Sequence, residues 1–432
     1  MHDALDPRDL VPDEAEQLAL SGFMVEALPQ EAREAAAADD LDGLADLRDR
    51  LAQARRDPAW PFDEPDDDVT LTRLAESMPR LTVDEAGLPD RVRGAWLGRT
   101  VANTLGKPVE GLGRIQLETY LRAAGQWPQT GYLPLLDPLP DGVPALHSSA
   151  ATASAGRFVD VPRDDDIDWT ILALHILECH GRSFTTAQVG AAWLDRVPFT
   201  QTYTAERAAY RNLIHGLRPP QTATHDNPYR EWIGALIRAD TFGYVSPGDP
   251  GEAARMALVD ARLSHTTNGK YGEMWAAALV ASALSVDTTE AALRHARTVV
   301  PAGSRLAAAL DDVAGLRDQG ATATEALDWV GDALGHYPWV HTVNNAALIA
   351  TGLLWGEHFM ESVAITISGG CDTDSNAATV GSVYGAVHGV SSVPTELVGR
   401  THVHVRSAVR DFDRITVEEL AERTLRLTRT NS

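Results

Sequence analysis

Two groups of aspartates, far apart in the chain but each placed where a helix should begin, constrain the fold more than any other feature: Arg163-Asp164-Asp165-Asp166-Ile167-Asp168-Trp169 and Gly369-Gly370-Cys371-Asp372-Thr373-Asp374-Ser375-Asn376. Carboxylates this close repel one another, and buried ones stay ionised only with cations between them. A site for a hard metal ion is the economical reading. Each group runs into apolar residues at helical spacing, Trp169, Leu172, Ala173, Ile176 and Leu177 after the first, Val380, Val383, Tyr384 and Val387 after the second. Both acid sets are therefore expected at helix N-termini, where free amides and the helix dipole favour negative side chains and any carboxylate that does not cap is available to a metal. Gly369 and Gly370 permit a close backbone approach, so a ligand or metal against that turn is expected.

The 432 residues exceed a usual single core, which points to one large domain with an appendage or to two domains. A net charge of -24 and a pI near 4.9 argue against nucleic acid or an anionic membrane as partner, since both need a basic surface. Cys179 and Cys371 are the only cysteines, too few for a disulfide framework or a zinc cage. The start, Met1-His2-Asp3-Ala4-Leu5-Asp6, has no basic segment leading into an apolar one, and no run of about 18 apolar residues occurs. A soluble, cytoplasmic, monomeric protein is expected.

Residues 1–85 are rich in Ala, Asp, Glu and Arg, with helical spacing at Leu41, Leu44, Leu47 and Leu51, followed by Pro58, Pro61 and Pro65, which break any helix. They are expected to form an accessory helical extension and linker, with the catalytic domain in residues 86–432. There, helix-period patterns separated by Gly and Pro cover Gly94 to Leu105, Trp169 to Cys179, Ala253 to Leu263, Met274 to Leu284, Ala291 to Val299, Asn345 to Trp355 and Thr416 to Leu427. Alternating strand patterns are scarce and no fixed repeat is visible, so the fold class is all-α.

The chain has no G-x-S-x-G elbow, H-E-x-x-H, Walker loop or G-x-G-x-x-G opening a helix, which removes the main support for serine acyl transfer, zinc peptidase, P-loop and Rossmann chemistry. An EF-hand needs D-x-D-x-D-G and a closing glutamate, neither of which follows Asp164. Asp164, Asp165 and Asp168 do match the D-D-x-x-D of all-α prenyl-diphosphate and terpene synthases. That class requires a second acidic motif at helical spacing, whereas Asp374 is followed by Ser375, Asn376, Ala377 and Ala378.

The segment Arg93-Gly94-Ala95-Trp96-Leu97-Gly98, its continuation Leu105-Gly106-Lys107-Pro108-Val109-Glu110, and the two acid groups occur in the order of the ADP-ribosylglycohydrolase family, which the chain resembles over about residues 88 to 395. The resemblance implies an orthogonal all-α bundle with a central binuclear cleft holding two magnesium or manganese ions, and hydrolysis at the anomeric carbon of ADP-ribose. It implies metal ligands at Asp164, Asp165, Asp166, Asp372, Asp374 and Ser375, all oxygen donors suited to such ions. Glu110 matches the glutamate closing the first motif. Ser264-His265 with Asn268-Gly269-Lys270-Tyr271-Gly272 matches distal-ribose contacts, and Gly234 to Arg238 a diphosphate-binding segment; Gly106, Gly369 and Gly370 complete the substrate-contacting set. This chain departs from the family at Ala102-Asn103, where Gly-Asp is usual, at Asp164, where Thr is usual, and at Ile167 and Asp168.

The implied mechanism uses metal-oriented ribose hydroxyls and a bound water, with Glu110 as acid or base and Asp165 or Asp166 deprotonating the water. Considered alone, Glu110 reads equally as a surface glutamate and His265 as a structural histidine. Trp232, Phe242, Tyr244 and Tyr271 read as core or as an adenine stack, and His336 to Asn345 as part of the pocket rim. The expected partner is an ADP-ribosylated protein or an ADP-ribosyl or nucleoside-type small molecule. A non-catalytic ADP-ribose-binding relative is the alternative, and a diphosphate-ionising synthase a third.

Overall fold

Glycines spaced by four lie on one face of a helix, and here they bring two helices into backbone contact. The helices are Leu88–Gly106 and Thr373–His388. A Cβ on Gly98 would stand 2.1 Å from the carbonyl oxygen of Gly381, and one on Gly94 2.5 Å from that of Gly385. No side chain fits there. At the far end of the contact a Cβ on Gly106 would lie 2.3 Å from the Thr373 carbonyl oxygen, and Thr373 Oγ1 donates to Gly106 O at 2.8 Å. The crossing brings the C-terminal end of the first helix, with Asn103 and Lys107, against the N-terminal end of the second, with Asp374 and Ser375.

The computed structural model describes residues 5–429; Met1–Ala4 of the N-terminal segment, and residues 430–432, lie outside the described residues. The chain is all-α: among the described residues the only strands are His404–Val405 and Ile415–Thr416, paired antiparallel. The expected helices are present, mostly longer or shifted by a turn; polar side-chain caps at Asp164, Asp249, Thr288 and His341 start four of them ahead of the apolar pattern. Asp165–His180 begins four residues before the apolar pattern at Trp169, with Asp164 as its N-cap. Thr267–Ala283 likewise starts two turns before Met274 and is buried from Asn268 to its end, which makes it a central helix. Thr342–Trp355 packs beside it, and both Thr342–Trp355 and Phe359–Ser368 pack against Thr373–His388, the helix that follows the second acid turn. Among the described residues no helix is long and apolar enough to cross a membrane.

Three helices, Pro7–Leu20, Leu28–Ala37 and Leu41–Ala52, form the extension around their own small core of Val11, Ala15, Leu18, Leu44 and Leu47. The proline-rich stretch after them is unpaired in secondary structure, as expected, but it is not a free tether. Glu64 is buried and accepts from Arg305 Nε at 2.7 Å and Asn268 Nδ2 at 2.7 Å. The following helix, Asp68–Glu76, sends Leu71 and Ala75 into the main core, joined by Met78.

Candidate functional site

Three segments deliver acids to one place. Asp164 caps its helix by accepting from Asp166 N at 3.0 Å. Asp372 stands at the cap position of Thr373–His388 but makes no side-chain capping bond, which leaves its carboxylate free of that duty. Glu110 leaves the short 3-10 turn Lys107–Val109. Two sets of three carboxylates result, Asp164 with Asp166 and Asp374, and Glu110 with Asp372 and Asp374, each with ligand oxygens within 4.8 Å of one another. Asp374 is common to both. Hard oxygen donors at such separation are the kind that suit a divalent cation such as magnesium or manganese.

The electrostatics agree. Burial, and after it the charge of Asp374, raises the pKa of Glu110 and lifts those of Asp166 and Asp372 well above the ordinary carboxylate range. Lys107 answers with an ammonium that contacts Asp164, lies 3.2 Å from Asp374 Oδ2 and 4.0 Å from Glu110 Oε2. Burial pulls its pKa down, but the field of Asp374, Glu110, Asp165 and Asp166 outweighs that and holds the value above that of free lysine. Asn103 Nδ2 donates to Asp164 Oδ1 at 3.0 Å and to Asp166 Oδ2 at 2.8 Å, and Ser375 Oγ donates to Asp166 Oδ1 at 3.0 Å.

The acids floor a cleft of about 500 Å³. Its walls include Asp165, Gly234, Trp232, Trp339, Glu206 and His147. Of the substrate-contacting set expected from sequence, only Gly234 lines this cleft; Gly106, His265, Gly269, Tyr271, Gly369 and Gly370 do not. Gly106 serves the helix crossing. Gly370, at φ 74°, would place a Cβ 2.7 Å from Leu112 O and so accommodates the Leu112–Arg114 backbone, while a Cβ on Gly369 would stand 2.3 Å from the Leu348 side chain. Tyr271 donates its hydroxyl to Pro65 O at 2.6 Å, and a Cβ on Gly269 would strike Arg230 O at 2.5 Å. His265 is buried with Nδ1 2.8 Å from Ser264 Oγ; burial, then Arg238, drives its pKa well down, so it is neutral. Phe242 and Tyr244 are core, stacked on Phe184 and against Trp96 respectively. The rim expected at His336 to Asn345 is represented by Trp339, 42% exposed, and Val340. Asp168 turns away from the cluster to Arg163 Nε at 2.7 Å, Ser407 Oγ at 2.6 Å and Ala408 N at 3.0 Å, so the D-D-x-x-D match is not presented as one face.

Sequence reasoning missed Asn103, Lys107, His147 and Glu206 as site residues. A signal existed for Lys107, because only Lys107 and Lys270 among 37 basic residues are lysines. None existed for His147, which lies in a proline-rich loop and reaches Glu110 Oε2 with Nδ1 at 3.0 Å. Glu206 shares Arg238 with two other buried acids: Arg238 Nη1 donates to Glu206 Oε1 at 2.6 Å, its Nε contacts Asp260, and Nη2 is 3.6 Å from Glu273. One cation cannot balance three carboxylates, and burial, opposed by Arg238, pushes Glu206 up to about 7. A raised carboxyl pKa stabilises the fold below its unfolded value and loses that contribution as pH rises to the folded one. Wild type should therefore lose stability relative to Glu206→Gln between pH 4.5 and about 7, by up to about 1.4 kcal/mol per pH unit, and level off above. Urea unfolding of both proteins at pH 5, 6 and 7.5 measures this, and a constant gap would rule out Glu206 as the titrating group.

A model of the ADP-ribosylglycohydrolase family matches residues 84–432. Among solved structures, a chain described as "ADP-ribosylglycohydrolase-related protein complex" is similar at 18% identity and a TM-score of 0.45, over 80% of this chain and 100% of that one. No curated protein matches the chain.

Proposed function

The chain belongs to the ADP-ribosylglycohydrolase family, whose members are metal-dependent hydrolases of ADP-ribosylated substrates, and from that premise we propose that it is a magnesium-dependent hydrolase cleaving the glycosidic bond at the anomeric carbon of ADP-ribose. Its substrate is an ADP-ribosylated protein or a related ADP-ribosyl or nucleoside-type small molecule. The observation that carries this reading is the convergence of Glu110, Asp164, Asp166, Asp372 and Asp374, from three segments, on the floor of one cleft. The resemblance implies two ions, and Asp165 and Ser375 stand beside the two carboxylate sets as further oxygen donors. A bound divalent ion supplies Lewis acidity that orients ribose hydroxyls and acidifies a water.

The residues of the chain do the rest. As the bond from the anomeric carbon to the aglycone breaks, positive charge grows on the sugar, and the surrounding carboxylates stabilise it. The water oxygen bonds to the anomeric carbon, its proton passes to a carboxylate, and the aglycone leaves with a proton. Glu110 is the acid–base group: it stands at the cleft edge of the acid cluster, its pKa is raised by burial and then by Asp374, and His147 fixes its Oε2. Trp232, Gly234 and Trp339 form the walls against which the rest of the ligand lies.

A panel of ADP-ribosyl conjugates on arginine, serine, a base and small molecules, incubated with and without magnesium and read by mass spectrometry, tests the activity. Glu110→Gln should lower turnover by about 10²-fold or more while product ADP-ribose still binds. Turnover and affinity falling together would make Glu110 a ligand-positioning residue, and near-normal turnover would remove it from the chemistry. ADP-ribose binding without hydrolysis of any conjugate by the wild type would favour a binding protein.

A further inference from the structure

We propose that the acid cluster takes one divalent ion rather than two, because Lys107 and Asn103 already serve as the cation and the donor for the half formed by Asp164 and Asp166. The proposal rests on the reading of the cluster as a divalent-metal centre. All four oxygens of these two carboxylates accept a donor from the chain. Asp164 Oδ1 takes Asn103 Nδ2 and Asp166 N, both at 3.0 Å, and Oδ2 takes the Lys107 ammonium. Asp166 Oδ2 takes Asn103 Nδ2 at 2.8 Å and Oδ1 takes Ser375 Oγ at 3.0 Å. An ion entering this half would have to strip those donors, and a buried ammonium or amide deprived of its acceptor is costly.

The other half also carries a contact, His147 Nδ1 at 3.0 Å from Glu110 Oε2, but its shared carboxylate is not fully occupied. Asp374 gives Oδ2 to Lys107, but its Oδ1, buried in a residue only 3% exposed, has no hydrogen-bond partner among the described residues. Asp374 also forms a set with Glu110 and Asp372 whose ligand oxygens lie within 4.8 Å of one another, and a buried carboxylate that keeps one oxygen without a donor there is suited to a cation. Residue choice points the same way. In a chain whose basic residues are otherwise almost all arginine, the position between Asp164 and Asp374 carries a lysine. Its ammonium is a compact point charge that stands between Asp164 and Asp374 as an ion would.

Counting bound Mn²⁺ by electron paramagnetic resonance, with calorimetric titration alongside, tests this on the full-length wild type. One ion per chain is expected, and two would overturn the proposal. Lys107→Met, checked for fold by circular dichroism, should bind a second ion; a count still at one would show that Lys107 is not what excludes it. Should the variant fail to fold, ¹⁵N-lysine spectra of the wild type decide, since only two side-chain signals exist: Lys107 should stay sequestered on magnesium saturation, and its release to the free-lysine position would overturn the assignment. No Mn²⁺ binding at all would sink the metal-centre reading itself, which is a different outcome from a count of two.

Discussion

Asp374→Ala is expected to abolish measurable divalent-ion binding and lower turnover by more than about 10²-fold, because Asp374 belongs to both carboxylate sets. Loss of a residue that only supports a metal ligand typically costs about 10- to 100-fold in affinity, and a shared ligand should cost more. The same substitution should stabilise the metal-free protein. After burial, Asp374 is the largest charge raising the pKa values of Glu110, Asp166 and Asp372, so its removal relieves repulsion that the fold otherwise carries for the sake of the ion. Calorimetric titration with Mn²⁺ and thermal melts in chelator measure the two effects. Unchanged Mn²⁺ affinity would remove Asp374 from the site. Lost affinity with a lower melting temperature would show instead that Asp374 is needed mainly to anchor Lys107.

The acids were legible in the sequence because their chemistry is self-announcing: several carboxylates at a helix start have no comfortable structural role unless something positive meets them. What meets them was not legible. Asn103 and Lys107 sit one turn apart at the end of a helix whose local pattern is apolar, and only the glycine crossing of Gly94 and Gly98 with Gly381 and Gly385 turns that end toward Asp374. Long-range approach of this kind leaves no trace in periodicity. His147 is the same problem in a loop, where no period exists to place it. Gly370 shows the converse: its positive φ and close contact were readable, but the neighbour could as well be a ligand as the Leu112–Arg114 backbone it meets. Tyr271 and Gly269 likewise depend on residues outside their own segment, since Pro65 and the Arg230 carbonyl come to them from other parts of the chain. The all-α class survived all of this because helical periodicity is local and the main core is built from it.

Deleting residues 1–80 should prevent folding of what remains, whereas deleting 1–56 should leave a folded, less stable protein. The shorter deletion removes a unit with its own core and the polar contacts that tie it down, among them Arg230 to Glu14 at 2.5 Å and Gln17 Nε2 to Glu231 Oε2 at 2.7 Å. The longer one also removes Glu64, leaving Arg305 with Glu231 alone, and takes Leu71, Ala75 and Met78 out of the main core. Breaking one buried ion pair by removing a partner costs about 3–5 kcal/mol, and stripping apolar side chains from a core adds about 2–5 kcal/mol for each large one. Those sums reach the whole stability of a typical domain, about 5–15 kcal/mol. Circular dichroism, gel filtration and thermal melts of the two truncations separate the cases. A cooperative melt and native helicity in the 1–80 deletion would show that the family-matched region, which starts at residue 84, closes its core unaided and that everything before it is accessory. An unfolded 1–56 deletion would place the three N-terminal helices inside the folding unit, through the contacts of Leu10 with Tyr229 and Trp232 at the back of the cleft wall.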